Sequence, residues 1–480
     1  MQYFLLFLVI ITFPIVNMPK SYQVMGLGGK LYLYPMIAGF LVFAFEVIKF
    51  KIKLNPKICK YLLLLFIVQL AITFFGIYKF PYYKYIDILK NEKFILIANF
   101  FNIKLEDNLM FFEYIFMLLR SVKIVTLEFL SEWILAFWVF HLFQSDFNNG
   151  FRKIKKMFLL LALLLSIYAI PEILFFKFNM QIGYDILSKI NPYLYDVGYY
   201  LNWYPPIVYP NHRLKSYCVE PGFLGLLSAT ILPFLFDFVF QNKRNILKYI
   251  FYTYFIMILF MTNSRGANVI IYFYSILMLL YSKLYGTFKK YIIMIILIGL
   301  GFLGAILSNE NVLDSVNTYF TSNIETITSS TARSNGSRLN NIMSHLNVVK
   351  DNILFGTGIG LKDLYIADTI SKSALNENEL RMITDGIRND GMFKYSYGNV
   401  NHYVYILTSY GLIGFSLYFF PILYLLYDIW KKRFYVNKKI GILTIALLLN
   451  LVAMMAGNTF SIIFLLGGLQ YTIISKIKSK

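Results

Sequence analysis

Apolar runs of about 17–22 residues recur from one end of this chain to the other, each long enough to cross roughly 30 Å of hydrocarbon. No other feature constrains the fold as strongly. A soluble domain needs a polar surface, yet only 15% of the 480 residues are charged against 58% hydrophobic, well below the usual charged fraction of about a quarter. The expected fold class is therefore an all-α polytopic membrane protein. Twelve transmembrane helices are expected, at 3–18, 31–48, 61–78, 122–143, 157–176, 219–240, 247–262, 267–282, 291–307, 402–427, 441–456 and 460–475. The opening MQYFLLFLVIITFPIVNM has no basic n-region and no small-residue cleavage site, so it reads as a first span rather than a signal peptide.

Charge sets the orientation. With the N-terminus inside, the short segments 49–60, 144–156, 241–248, 283–290 and 428–440 and the tail after 475 face the cytoplasm. They are dense in base: Lys49, Lys51, Lys53, Lys57 and Lys60 in one, Lys431, Lys432, Arg433, Lys438 and Lys439 in another. The outer segments spread a similar total over a longer chain and mix it with acids, which is the positive-inside pattern. Much of the net charge of +20 thus sets topology, and only outer-side cations need another explanation. Cys59 and Cys218 fall at opposite faces, too far apart for a disulfide.

Two outer segments, 177–218 and 308–401, are too long for plain connectors. The first holds Trp203, Tyr204, Pro205, Pro206 and seven further tyrosines. In the second, Leu339, Ile342, Met343, Leu346 and Val349 recur at helical spacing, with Ser337 as the expected N-cap. The chain thus divides into helices 1–9 over 1–307, a large folded extracytoplasmic loop over 308–401, and helices 10–12 over 402–480.

Several outer-side residues have chemistry to offer. Arg265 stands in the turn TNSRGANVII between two spans, with Ser264 and Gly266 beside it. It can be a snorkelling interfacial arginine, but an outer turn has no topological use for a cation, and the guanidinium fork suits a phosphate. In HRLKSYCVEPGFLG, Pro221 is placed as a first helical residue with Glu220 at the positive end of the helix dipole. Glu220 is then a helix-start residue or a catalytic one. Arg213 has less structural excuse and can join Arg265 in a cationic pocket. Arg338 and His345 lie seven apart along one flank of the loop helix. Gly356, Gly358 and Gly360 follow, but without the Lys-Ser/Thr of a nucleotide loop they read as a tight turn re-entering the membrane surface. His402 opens a span directly after the big loop; near neutral pH it can take a proton from a hydroxyl, or simply bond the loop. Glu128 and Glu132, four apart on one helix face, are expensive inside a membrane. A structural pair and a functional pair both remain open for them.

In combination, an outer arginine before a Glu-Pro-Gly span, a Ser-Arg-Gly turn, the run from Arg338 through His345 to DNILFGTGIG, and NHYVYILTSYGLIG resemble the O-antigen polymerase/ligase superfamily over about residues 200–420. The resemblance implies a membrane-embedded GT-C-type glycosyltransferase in the bacterial inner membrane, with its active site facing the periplasm or exterior. The implied donor and acceptor are undecaprenyl-pyrophosphate-linked glycans, with membrane lipid and a chain-length regulator as further partners and no nucleic acid. No cofactor and no metal are implied. Carried over by motif, Arg265, Arg213 and Arg338 hold the pyrophosphate and His402 activates the acceptor hydroxyl. The first outer segment, SYQVMGLGGK, lacks the acidic base of many lipid-sugar glycosyltransferases, and no HExxH, Asp-x-Asp or Cys/His metal spacing occurs.

Within that superfamily, the Arg…Glu-Pro-Gly pattern resembles polymerases of O-antigen, capsule or exopolysaccharide more than lipid A-core ligases. The expected reaction is an inverting, metal-independent block transfer of repeat units, with O-antigen ligation as the alternative. A lipid-linked oligosaccharide flippase fits less well, because transporters are often built from repeated halves and no internal repeat is visible.

Overall fold

Although the first, expected over 3–18, is helical only through Thr12, each expected span overlaps helix in the computed structural model. It describes residues 1–480 apart from 25–26, 53, 83–94, 96–97, 100–103, 105–108, 197–205, 210–211, 241–244, 308–332, 391–394, 399–400, 434–436, 458–461 and 479–480. No strand occurs among the described residues. The first half runs α1 (Gln2–Thr12), α2 (Leu33–Phe50), α3 (Pro56–Tyr78) and α4 (Leu109–Phe129). A π-helical turn, Leu130–Ile134, joins α4 to α5 (Leu135–Phe143); α6 (Phe147–Phe178), α7 (Gln181–Leu194), α8 (Pro221–Val239) and α9 (Ile246–Met261) follow. The second half comprises α10 (Arg265–Leu284), α11 (Phe288–Leu307), α12 (Arg333–Asp351), α13 (Lys362–Thr369), α14 (Asn378–Asp390), α15 (His402–Lys431), α16 (Lys438–Ala453) and α17 (Ile462–Lys478). Seven of these (α2, α3, α6, α8, α10, α11 and α15) are long and apolar enough to cross a membrane by length and composition.

Local sequence explains where the helices begin. Asn55, Asp146, Asn245, Asn401 and Asn437 each accept a hydrogen bond from a first-turn backbone N–H, satisfying donors that the helix itself leaves open. In α8, Pro221 occupies the first turn, where its missing N–H is harmless. Large apolar side chains such as Leu41, Phe45, Leu63, Leu423 and Trp430 point outward. In water such a surface would drive aggregation; against lipid it carries no penalty. The interior instead admits polar pairs: Asn450 Nδ2 donates to Thr230 Oγ1 at 2.8 Å, and the Tyr252 and Tyr274 hydroxyls lie 3.1 Å apart. Such pairs join helices where apolar burial supplies little driving force.

The 333–398 part of the large loop packs around its own apolar core of Leu361, Leu364, Ile366, Leu380, Ile387 and Tyr397, leaning on Ile77, Phe80 and Met117 at the ends of α3 and α4. It forms a lid on one end of the bundle. Two expectations fail here. Ser337 does not cap α12, which begins at Arg333; its hydroxyl donates to Glu379 at 3.0 Å. The expected apolar stripe of α12 is only partly its buried face. Val349 is buried and Ile342 and Leu346 half-buried, but Leu339 and Met343 are exposed, while Ser337, Asn341, Ser344, His345 and Val348 are buried. Polar residues can turn inward because they find hydrogen-bonding partners there, such as Thr408 Oγ1, 3.2 Å from His345 Nδ1.

The glycine turn is a latch. Gly356, Gly358 and Gly360 all have positive φ. Thr357 N–H and Gly358 N–H donate to the Thr408 and Ser409 carbonyls at 2.9 and 3.0 Å, and Leu412 N–H donates to Ile353 O at 2.8 Å. The chain can turn in this way because α15 is broken at Gly411, whose φ of 61° and ψ of −168° are not helical. A side chain at Gly76 would overlap Thr357, so the latch seats between α3 and α15.

Candidate active site

Two groups of charged side chains occupy the lid end of the bundle. The first is assembled where two helices start side by side. Gly225 of α8 faces Ala267 of α10 so closely that a Cβ would lie 2.7 Å from the Ala267 nitrogen. The N-termini of both helices, about one turn away, therefore adjoin. Neither Glu220 nor Ser264, at the two N-cap positions, makes a side-chain cap hydrogen bond. The Glu220 carboxylate and Ser264 hydroxyl flank Gly222, 3.8 and 3.9 Å from where its Cβ would stand. Open helix N–H groups backed by two helix dipoles favour an anion.

The segment 213–218 is clamped beside this point. Leu214 N–H bonds the Met261 carbonyl at 3.1 Å, and Arg213 Nε donates to Thr262 O at 2.9 Å, with its guanidinium 5.5 Å from the Tyr209 ring centroid. Behind it, the fully buried Glu172 accepts from the backbone N–H of Lys215 and Ser216 at 3.2 and 2.8 Å. Arg213, Glu220 and Arg265 are half-buried, and Arg338 reaches in from the lid with an exposed side chain. Arg213 and Arg338 act electrostatically on both Glu220 and Arg265. Burial pushes the Arg213 guanidinium down, and Arg338 adds to this, opposed by Tyr209 and Glu220. Burial pushes the Glu220 carboxyl up, while Arg338 and Arg213 pull it back. Among these described groups one carboxylate stands with three guanidinium groups, an arrangement suited to an anion.

Arg213, Arg265, Arg338 and Glu220 are thus brought together from four separate stretches of chain, whereas His402 stands in a second group. Its backbone N–H bonds the Met454 carbonyl at 2.9 Å, and its Nε2 lies 3.1 Å from the Tyr418 hydroxyl. That hydroxyl donates to Glu132 Oε2 at 2.8 Å, and the Tyr405 hydroxyl donates to Glu128 Oε1 at 2.8 Å. Glu132 lies in the π turn, which widens the helix locally and displaces the side chains that follow. The fold at Gly411 is what lets Tyr418, sixteen residues after His402, meet the imidazole. Lys30, from the loop before α2, acts on Glu128, Glu132 and His402 alike, yet its side chain is exposed. Tyr32 foremost, and then Glu128 and Glu132, hold its ammonium above the ordinary range against partial desolvation.

The two groups are neighbours. Beyond Met454, Gly457 packs against Leu226, which also adjoins Gly266 next to Arg265. His345 belongs to neither. It is buried under the lid with Nδ1 3.2 Å from Thr408 Oγ1, and burial, reinforced by Lys362, lowers its pKa to about 3. Although seven residues from Arg338, it is a packing residue.

Sequence reasoning overlooked Lys30, Tyr405 and Tyr418, and left Glu128 and Glu132 undecided. Lys30 had a usable signal, since it is a cation in an outer loop without acids. Tyrosines among 39 had none. Of the aromatic residues of segment 177–218, Tyr199, Tyr200, Trp203 and Tyr204 lie outside the described residues, as does Pro205.

A comparison with curated proteins finds no match. Residues 250–419 match the model of a family described as O-antigen ligase, a stretch that includes Arg265, Arg338, His402 and Tyr418 but not Arg213, Glu220 or Glu132. Over that stretch, about a third of the chain, the protein is similar to the O-antigen polymerase/ligase superfamily.

Proposed function

We propose that this protein is a membrane glycosyltransferase that polymerises undecaprenyl-pyrophosphate-linked oligosaccharide repeat units by inverting block transfer, with its active site on the extracytoplasmic side. The observation that carries this reading is the convergence of Arg213, Arg265 and Arg338 on two adjoining helix N-termini at the lid end. Pyrophosphate is already a good leaving group, so the protein need only stabilise the charge that grows on it, and a preorganised cluster of guanidinium and N–H donors does so. His402 takes the proton of the incoming hydroxyl. Glu220, expected from sequence to be catalytic, has arginines rather than His402 as its neighbours. Its role in this reading is to orient the guanidinium groups.

A second reading, ligation of finished glycan to lipid A-core, is favoured by the description of the matching family. A deletion strain separates them. Polymerase loss leaves single repeats on undecaprenyl, whereas ligase loss leaves full-length polymer on undecaprenyl with none on lipid A-core. Purified protein given lipid-linked repeats should extend them in EDTA. Abolition of transfer by the chelator would overturn the metal-independent mechanism.

A further inference from the structure

His402 presents a difficulty as a base. It is 3% exposed, and its cationic neighbour Lys30 opposes a second positive charge there. A base that must hold a proton as imidazolium beside a lysine is poorly placed. The hydrogen bonds around it supply a solution. Tyr418 has one hydroxyl hydrogen, and it points to Glu132 Oε2 at 2.8 Å. With that hydrogen committed, the 3.1 Å contact between Tyr418 and His402 Nε2 requires the imidazole to be the donor. His402 is then neutral with its hydrogen on Nε2, and Nδ1 carries the lone pair.

We infer that Tyr418 and Glu132 form the proton outlet of His402, a relay that carries the acceptor hydroxyl's proton from Nδ1 side to carboxylate without an imidazolium. This rests on the functional reading above. The step balances as follows. The acceptor oxygen bonds the anomeric carbon as the carbon–oxygen bond to pyrophosphate breaks, and that bond's electron pair leaves with the pyrophosphate. The hydroxyl proton passes to His402 Nδ1, the Nε2 hydrogen passes to Tyr418, and the Tyr418 hydrogen passes to Glu132. The imidazole ends neutral with its tautomer reversed, and Glu132 ends as a neutral acid. Reversal of the relay returns the proton through His402 to the departing pyrophosphate or to water.

The arrangement has the features such a relay needs. Each link is a hydrogen bond of 3.1 Å or less. Tyr418 is held on edge against Trp133, with ring centroids 5.6 Å apart, and is 1% exposed, so its hydroxyl has little freedom. Glu132 sits in the π turn that departs from regular helix. Glu128 makes the parallel contact to Tyr405. Lys30 balances the charge that Glu132 gains and loses. Tyr418 and Glu132 are thus positioning and relay residues that touch the base and not the substrate.

The test has an arm independent of enzymatic activity. With ring-15N histidine and His402→Gln to assign its signals among the four histidines, the wild type should show the Nε2-protonated tautomer. Tyr418→Phe should abolish that preference. A wild-type Nδ1-protonated tautomer would overturn the relay direction whether or not the protein transfers glycan. In the transfer assay, Tyr418→Phe and Glu132→Gln should each lower kcat about 100-fold, within the range of general-base contributions, with KM changed less than twofold and Glu132→Asp partly restored. The solvent-isotope proton inventory should be curved in wild type and linear in Tyr418→Phe. The groups facing His402, namely Lys30, Glu128, Glu132, Tyr405 and Tyr418, are those whose titration shapes the pH profile. Wild-type kcat in both variants would sink the relay while His402 stayed essential. Failure of the functional reading looks different, because His402→Ala would then leave transfer intact.

Discussion

The arginine cluster and the His402 network stand at the same end of one bundle and are built on opposite plans. The first gathers like charges on half-buried or exposed side chains, with two uncapped helix starts behind them. The second buries opposite and titratable groups and links them by hydrogen bonds of 2.8–3.1 Å. A cluster of cations held together by the fold is complete only when an anion arrives. A network of hydrogen-bonded titratable groups is suited to moving protons. In the proposed function, anion binding and proton transfer therefore fall to different parts of the site, and each part can be damaged without the other.

The largest expected effect comes from the base. His402→Ala should reduce transfer about 10²–10⁴-fold while inhibition by inorganic pyrophosphate keeps its wild-type concentration dependence. If pyrophosphate inhibition were lost as well, the division between the two groups would be wrong. Arg265→Ala should reduce transfer about 10²–10³-fold, the loss typical of one preorganised donor, and should abolish pyrophosphate inhibition. Arg265→Lys should recover little, since an ammonium cannot offer the planar fork. Retention of long-chain glycan in Arg265→Ala cells would remove the arginine from the site.

Gly411 tests what joins the lid to the second group. Its left-handed φ and its contact with Leu354 leave no room for a side chain. Gly411→Ala should destabilise the latch by about 1–3 kcal/mol from backbone strain alone, seen as faster proteolysis within 333–398. An unchanged digestion rate would contradict the latch. The smallest effect is a pH dependence. His345 is neutral in the docked lid because its pKa is lowered to about 3 from an ordinary 6.5, first by burial and then by Lys362, with Asp363 opposing. A histidine with a depressed folded pKa contributes fully above its unfolded value, so docking is intact above pH 6.5 and weakens as pH falls toward 3. At pH 5.5 the loss is about 1 kcal/mol, which should raise lid proteolysis several-fold over pH 7.5. His345→Gln should flatten that dependence; a slope as steep as wild type would assign it to another group.

How much of this was legible in advance varied with the range of the interaction. Helix positions followed from apolar runs and from local caps such as Asn401 and Asn437, since both are decided within a few residues. Two helices still outran expectation: α4 begins at Leu109 rather than 122, and α6 at Phe147 rather than 157. Their extra turns carry too few consecutive apolar residues to read as span, and Met117, in the extension of α4, is held by the lid core instead. The arginines were legible because the positive-inside rule left them unexplained. The buried polar face of α12 was not, because Leu339 and Met343 obey the helical periodicity that usually marks a core. Periodicity identifies an apolar side, and only the surroundings say whether that side meets protein or lipid.

By itself the sequence determined an all-helical membrane bundle, a long segment between the helices that start at Phe288 and His402, and a set of cations that the expected topology does not explain. These depend on composition and local spacing, which are readable along one strand of chain. Tertiary structure alone decided that α8 and α10 start together, that the chain breaks at Gly411, and that His402 meets Tyr418 and, through it, Glu132. Those contacts join residues as much as 286 positions apart. Proton transfer depends on distances of about 3 Å, which nothing in a local pattern can fix.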